Sequence, residues 1–304
     1  MNIEVDKLFQ QQLGEWPLAA KNFNALSEVK TKEVSVNGVH YRVQFNPARI
    51  VSSAAKVDSA SIQARKCFLC ATNRPIEQKG INYKQYVILL NPFPIFPRHL
   101  TIPDINHVDQ KIEGRICDML DLAKKIDDYV LFYNGPKCGA SAPDHMHFQA
   151  GNKGFLCIEK DVTNLPLEKL KEYKSAKLFL LNDNPRNSLI IKGTTSEDIN
   201  ELFNQIYHTL PVQEGESEPM MNLIAWYDKD EWTLILLLRK KHRPNAFFAK
   251  GENKLTISPA SVDLGGVFIT PLEIDFNKVN EKQILEIVSE VSMSKEEIIN
   301  LLKK

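Results

Sequence analysis

The feature that most constrains this 304-residue chain is a structural plan that it carries twice. In the first half, residues 86–91 (YVILLN) and 99–102 read as short buried strands. A helix follows, with Ile112, Ile116, Met119, Leu120 and Ala123 close to helical spacing, and then residues 129–133 and the segment HMHFQA read as two more strands. In the second half, residues 178–182 (LFLLN), the turn NDNPRN and the strand SLIIKG precede a helix bearing Ile199, Leu202, Phe203 and Ile206, with Thr195 or Ser196 as its cap. Residues 222–227 and 232–238 complete the set. Strand, strand, helix, strand, strand in the same order on both sides points to internal duplication. It predicts an α+β protein of two related halves, residues 1–160 and 161–304, each an antiparallel sheet with helices packed on it. Before the repeat, residues 1–30 read as a helical lead-in, and residues 32–46 as a hairpin turning at Asn37-Gly38. The Glu-rich stretch 213–219 is expected to be a mobile loop.

Composition narrows the function classes. Lys+Arg and Asp+Glu are both 38, so the chain has no general attraction for nucleic acid or an acidic membrane, and any basic site must be local. No apolar run approaches the ~20 residues of a membrane-spanning helix, and the polar, acidic start is unlike a secretory signal. Five cysteines (Cys67, Cys70, Cys117, Cys138 and Cys157) are an odd number with one close pair, which argues against a disulfide framework and for a cytoplasmic setting.

The strongest chemical signal is Asp144–Gln149 (DHMHFQ). On a strand, residues two apart share a face, so His145, His147 and Gln149 are expected to project together while Met146 and Phe148 enter the core. The preceding loop, Gly135–Ser141, can offer backbone N–H groups to an anion, and Lys137 lies within it. An imidazole, a cation and free amides in one place suit phosphoryl chemistry. The plain alternative is a surface His-x-His on a strand. The corresponding stretch of the second half is LILLLRKKH, so only the first half keeps the chemical strand. A second signal is Cys67-Phe-Leu-Cys70, whose spacing suits one tetrahedral zinc ion but equally a redox dithiol or buried cysteines. A zinc site needs two further ligands, for which His107 and His145 are the candidates. A third is local charge: Arg239 and Arg243 in the run RKKHR, and Arg49 after Asn46-Pro47, are either phosphate clamps or solvated strand ends.

At these residues the chain resembles the histidine-triad superfamily, in the branch of galactose-1-phosphate uridylyltransferase, dinucleoside-tetraphosphate phosphorylase and the plant GDP-hexose phosphorylases. That branch carries His-x-His-x-Gln, here His145-Met146-His147-Phe148-Gln149, and the run NPFPIFPRHLTIPDINH is similar to its strand–strand–helix entry. The resemblance covers residues 40–155, and the remainder by plan. It implies that His147 is the nucleophile attacking an α-phosphoryl group and that Gln149 holds a phosphoryl oxygen, with transfer to a phosphate acceptor rather than to water. It also implies that Cys67, Cys70, His107 and His145 hold a structural zinc ion. The chain departs from the uridylyltransferases in one respect: their phosphate-binding serine lies three residues before the motif, whereas the candidate here, Ser141, lies four before.

The expected activity is therefore ping-pong nucleotidyl transfer between a nucleotide-containing phosphoanhydride and phosphate or a sugar phosphate. The leading version is a phosphorylase of dinucleoside polyphosphates or nucleotide-sugars, and the alternative within the family is a hexose-1-phosphate nucleotidylyltransferase. Outside that class stand a nucleotide hydrolase and a catalytically silent nucleotide-binding protein. Duplication favours a self-sufficient monomer.

Overall fold

The computed structural model describes residues 1–50, 58–181 and 185–303. Thirteen strands are formed among them: β1 (Lys30–Val36), β2 (Val39–Phe45), β3 (Gly80–Tyr83), β4 (Tyr86–Leu90), β5 (His99–Pro103), β6 (Tyr129–Asn134), β7 (His147–Asn152), β8 (Leu167–Tyr173), β9 (Ala176–Leu181), β10 (Ser188–Gly193), β11 (Met221–Asp228), β12 (Glu231–Leu238) and β13 (Val267–Thr270). Ten of them make one sheet in the order β3-β4-β5-β7-β6-β11-β12-β10-β9-β8. Read inward from each edge, the halves are β3-β4-β5-β7-β6 and β8-β9-β10-β12-β11, the same topology twice. A helix connects the third and fourth strand of each half, Ile116–Lys125 in the first and Ser196–Tyr207 in the second. The duplicated strand–strand–helix–strand–strand plan read from the sequence is thus present, with one further edge strand, β3 or β8, added to each half. The two expected sheets are fused into one, because β6 and β11 pair antiparallel from Asn222 opposite Asn134 to Ala225 opposite Leu131. Each half covers the other's inner edge, which would otherwise expose a row of unpaired backbone groups.

The two faces of this sheet support separate cores. On one face, Leu131, Phe148 and Ala150 meet Leu120 and Ala123 of the first connecting helix and Leu202 and Phe203 of the second. The N-terminal helices Asn2–Glu15 and Pro17–Asn24 add Val5, Phe9 and Phe23 to it. On the other face, Phe132, Ile224 and Ile235 pack against Val43, Phe268 and Ile287, which come from a three-stranded sheet β1-β2-β13 and the helix Glu281–Val291. Each fully buried Leu, Ile or Phe contributes about 1.5–3 kcal/mol, so both layers hold the central sheet firmly. In the small sheet β13 runs parallel to β2, which ties the end of the chain to its beginning. The helix Cys157–Asn164 connects the two halves.

Local expectations were met where turn chemistry was explicit. Asn37 and Gly38 take φ of 52° and 85°, the paired positive values of a tight hairpin turn. The first connecting helix begins at Ile116 rather than nearer Pro103, because residues 104–110 run as an extended loop bonded to residues 143–147. The stretch 213–219 is anchored rather than loose at its end: Glu218 is buried and accepts hydrogen bonds from the Ile112 amide (2.9 Å) and the Tyr133 hydroxyl (2.5 Å). Residues 182–184 of the expected NDNPRN turn lie outside the described residues. Among the described residues no helix is long and apolar enough to cross a membrane.

Candidate active site

β7 begins at His147, not at His145. Pro143 and Asp144 precede it, and the 104–110 loop bonds the backbone there, with Asp104 N–H donating to the Met146 carbonyl and Met146 N–H to that of Val108. The three polar residues of the motif therefore do not share one face, which corrects the expectation from alternation. His145 turns to a cluster behind the strand, while His147 and Gln149 face a cavity of about 490 Å³. Phe148 between them is buried on the helix-bearing face, as period-two alternation requires.

The His147 ring is held by its own strand. Nδ1 lies 2.8 Å from the His145 carbonyl, which can only accept, so Nδ1 carries the proton and Nε2 is left with the lone pair. Burial pushes the ring's pKa down to about 4, which keeps it neutral near pH 7. Gln149 is oriented in a similar way. His99, fully buried and pushed down to about 3 chiefly by burial, accepts the Ile95 N–H at Nδ1 (3.0 Å). Its Nε2–H then donates to Gln149 Oε1 at 3.0 Å, and Asn91 Nδ2 lies 3.5 Å from the same oxygen. With that oxygen engaged, the Gln149 NH2 is the group left to donate into the cavity. His147 and Gln149 thus present an unprotonated ring nitrogen and a hydrogen-bond donor to one cavity.

Cys67, Cys70, His107 and His145 bring their ligand atoms within 4.8 Å of one another, and together they can hold a metal ion. His145 Nδ1 stands 3.3 Å from Cys67 Sγ, 3.6 Å from Cys70 Sγ and 3.3 Å from His107 Nδ1, and Cys70 Sγ is 3.2 Å from His107 Nδ1. His145 Nε2 donates to the Asp104 carbonyl (2.8 Å), which directs Nδ1 into the cluster in the manner of a metal-ligating imidazole. Burial alone would raise the Cys67 thiol, but its bonds to His145 and to the amides of Leu69 and Cys70 outweigh this and leave it at about 6.

Two family models match the sequence. One, a domain of unknown function (DUF4922), spans residues 8–152, and the other, a GDPGP1-like C-terminal domain, spans residues 161–303. Comparison with curated protein sequences gives no match. Among solved structures, yeast Ap4A phosphorylase Apa2 superposes with a TM-score of 0.56 at 14% identity, over 91% of this chain and 94% of that one. The chain shares the fold of that enzyme, built here from two halves of one topology. The same yeast enzyme in complex with AMP gives a TM-score of 0.54 at 14% identity, covering 93% of this chain and 97% of that one. Its complex with Ap4A gives 0.53 at 14% identity, covering 91% and 96%. At this identity the likeness is one of fold.

On this fold the basic candidates divide. Arg49, Ser141 and Arg243 line the cavity. Arg49 donates to the Phe93 carbonyl (2.6 Å), while its Nε is buried without a partner. Lys137 does not line the cavity and pairs at 3.7 Å with Glu216. Arg239 is 1% exposed, and all five of its N–H groups are spent inside the protein. Nη1 donates to Asn222 Oδ1 (2.7 Å) and the Pro259 carbonyl (3.0 Å), Nη2 to the carbonyls of Lys241 and His242 (both 2.9 Å), and Nε to that of Val291 (3.3 Å). No donor remains for a phosphate, so Arg239 is a brace and not a clamp. It holds two segments whose residues His242, Arg243, Ser258 and Ala260 line the cavity.

The sequence reading missed His99, Gln110, Asn134 and Asp263. Asp263 lines the cavity and caps backbone groups, accepting from the amides of Ile269 and Ala260 (both 2.9 Å); burial raises it to about 6. Asn134 Oδ1 gathers the Ser261 amide (2.9 Å) and hydroxyl (2.6 Å) and Asn222 Nδ2 (2.9 Å), joining the two halves under the cavity. None of these stands in a local motif. A buried position on a strand beside the His-x-His segment is the one signal that could have drawn attention to His99.

Proposed function

We propose that the chain is a phosphorylase that transfers a nucleotidyl group through a covalent intermediate on His147. The observation that carries this reading is the pairing of a neutral His147, its Nδ1 proton pinned and its Nε2 lone pair unspent, with the Gln149 amide turned toward the same cavity. The yeast Ap4A phosphorylase fold and the GDPGP1-like C-terminal domain support a nucleotidyltransferase of this class. That the yeast enzyme has been seen with AMP and with Ap4A supports a nucleotide substrate here. The cavity volume falls in the ~300–1,000 Å³ range of small-molecule sites.

In the first step the Nε2 lone pair of His147 attacks the α-phosphorus. A P–N bond forms as the P–O bond to the phosphate-bearing leaving group breaks, and its electron pair departs with that oxygen. The Nδ1–H held by the His145 carbonyl disperses the positive charge that develops on the ring. Gln149 donates to a non-bridging oxygen, and Arg49, Arg243 and Ser141 face the phosphates. In the second step an oxygen of inorganic phosphate or a sugar phosphate attacks the same phosphorus, and the P–N bond breaks to return the lone pair to Nε2. The substrates in this reading are dinucleoside polyphosphates or nucleotide-sugars; hexose-1-phosphate nucleotidylyl transfer would use the same residues with a sugar phosphate as acceptor.

The metal in this reading is zinc. Zn–S and Zn–N bonds of about 2.3 and 2.0–2.1 Å in a tetrahedron set donor atoms roughly 3.3–3.8 Å apart, against 3.2–3.6 Å for the four measured pairs. The ion would supply a structural cross-link that fixes the 104–110 loop to the segment leading into His147. Residues 1–160 form the chemical half and residues 161–304 complete the cavity wall, so one chain suffices as a monomer. Five free cysteines fit a cytoplasmic setting. The test is to incubate the protein with dinucleoside tetraphosphates and nucleotide-sugars, with and without phosphate. Nucleoside diphosphate formed only when phosphate is present supports phosphorolysis; free nucleoside monophosphate formed at the same rate without it would replace this reading by hydrolysis.

A further inference from the structure

The β6–β7 ladder stops short of the nucleophile. Its pairs run from Tyr129 opposite Asn152 to Phe132 opposite Gln149, and the same register would place Asn134 opposite His147. That pair is not formed. The carboxamide of Gln110 fills the gap instead. Its Oε1 accepts the His147 N–H (2.8 Å), and its Nε2 donates to the carbonyls of His147 (3.1 Å) and Asn134 (2.9 Å). Gln110 is fully buried, and its own N–H is tied to the Pro143 carbonyl (3.1 Å). A side chain has thus been inserted between two strands as a spacer, satisfying the backbone groups that the parting of the strands would leave bare.

The parting has a use. Asn134 and His147 both line the cavity, so the sheet opens at the point where substrate must approach Nε2. On the other side of β7 the pairing continues through Pro103 opposite His147, so the nucleophile's backbone is gripped by a strand on one flank and by Gln110 on the other.

We infer that Gln110 is the positioning residue that sets the reach of His147: it wedges β6 from β7 and fixes the backbone of the nucleophile by two hydrogen bonds. The inference rests on His147 being the nucleophile. A misplacement of about 1 Å at a reacting atom can cost about 100-fold in rate, so the effect should fall on bond formation and not on nucleotide affinity.

The test follows adduct formation on the intact chain in a single turnover, with equilibrium binding of a nucleoside monophosphate measured alongside. Two variants are used, Gln110→Met, of similar shape without N–H or C=O groups, and Gln110→Glu, which keeps the acceptor and can donate to at most one of the two carbonyls. Trp232→Phe serves as a stability control, because it removes a buried side-chain bond to the Leu120 carbonyl (2.8 Å) on the helix-bearing face. Adduct formation slowed about 100-fold in either Gln110 variant, with nucleotide affinity within about twofold and Trp232→Phe reacting normally, supports the role. Adduct formation at the natural rate in a folded Gln110 variant overturns it, as does an equal slowing in Trp232→Phe. Absence of any adduct in the natural protein overturns the nucleophile reading and this role with it.

Discussion

Replacing Arg239 with methionine should unfold the protein more easily long before it bears on chemistry. The guanidinium makes five hydrogen bonds, and bonds to a charged group contribute about 1.5–3 kcal/mol each. Added naively they would exceed the whole stability of a typical domain, about 5–15 kcal/mol, so they cannot be additive. Methionine avoids the cost of burying a charge, which offsets part of the loss, but it leaves four carbonyls and Asn222 Oδ1 without this donor in a buried setting. Buried neutral acceptors left without a donor cost about 1–3 kcal/mol each, and with local relaxation and water entry the expected net loss is about 3 kcal/mol, or on the order of 5 °C in Tm for a chain of this size. The assay is urea and thermal denaturation of Arg239→Met beside the natural protein, followed by kinetics well below the transition. The account expects the stability loss together with a raised KM, since His242, Arg243, Ser258 and Ala260 lose their common anchor. A variant that melts within about 1 °C of the natural protein while KM rises would refute the brace and restore Arg239 as a direct phosphate ligand.

Glu218→Gln should gain in relative stability as pH rises. Burial lifts the carboxyl from its ordinary 4.5 to about 7, so the folded state favours the neutral acid, and ionisation opposes folding progressively from about pH 4.5 to pH 7. The penalty is complete above pH 7 and amounts to about 3 kcal/mol; denaturation at pH 5 and pH 8 reads it, and a variant-minus-natural difference independent of pH would contradict it. Cys67→Ala should abolish metal binding and lower the Tm, measured by elemental analysis and thermal melts; protein purified without metal and a normal melt for the variant would end the zinc proposal. Gln149→Ala should lower kcat about 10²–10³-fold, the usual cost of one donor to a developing charge, with KM little changed; a kcat within threefold of the natural enzyme would remove that role.

The repeat was legible because its strands are apolar runs bounded by turn residues, as at YVILLN and SLIIKG. Three strands escaped notice for physical reasons. β8 is a charged edge strand (LEKLKEY) whose side chains largely face water, β3 is a four-residue edge, and β13 earns its place by pairing with β2, more than 200 residues away. Within the site, His147 and Gln149 could be found because two-residue spacing on a strand is a local property. His145 was misplaced because alternation assumes that the strand extends to it, and the 104–110 loop takes over that backbone first. Gln110, His99 and Asn134 act through partners distant in sequence, so no spacing announces them. The run RKKHR shows how charge misleads: Arg239 is internal, Lys240 and Lys241 pair with Glu297 and Glu290 outside, and His242 and Arg243 meet the cavity.

The most direct test of the central claim is the intact-protein mass after mixing the chain with dinucleoside polyphosphates and nucleotide-sugars in the absence of any acceptor. The account predicts an acid-labile gain of one nucleoside monophosphate, absent in His147→Ala and discharged when phosphate is added. No adduct with any donor, or an adduct that persists in His147→Ala, would contradict it.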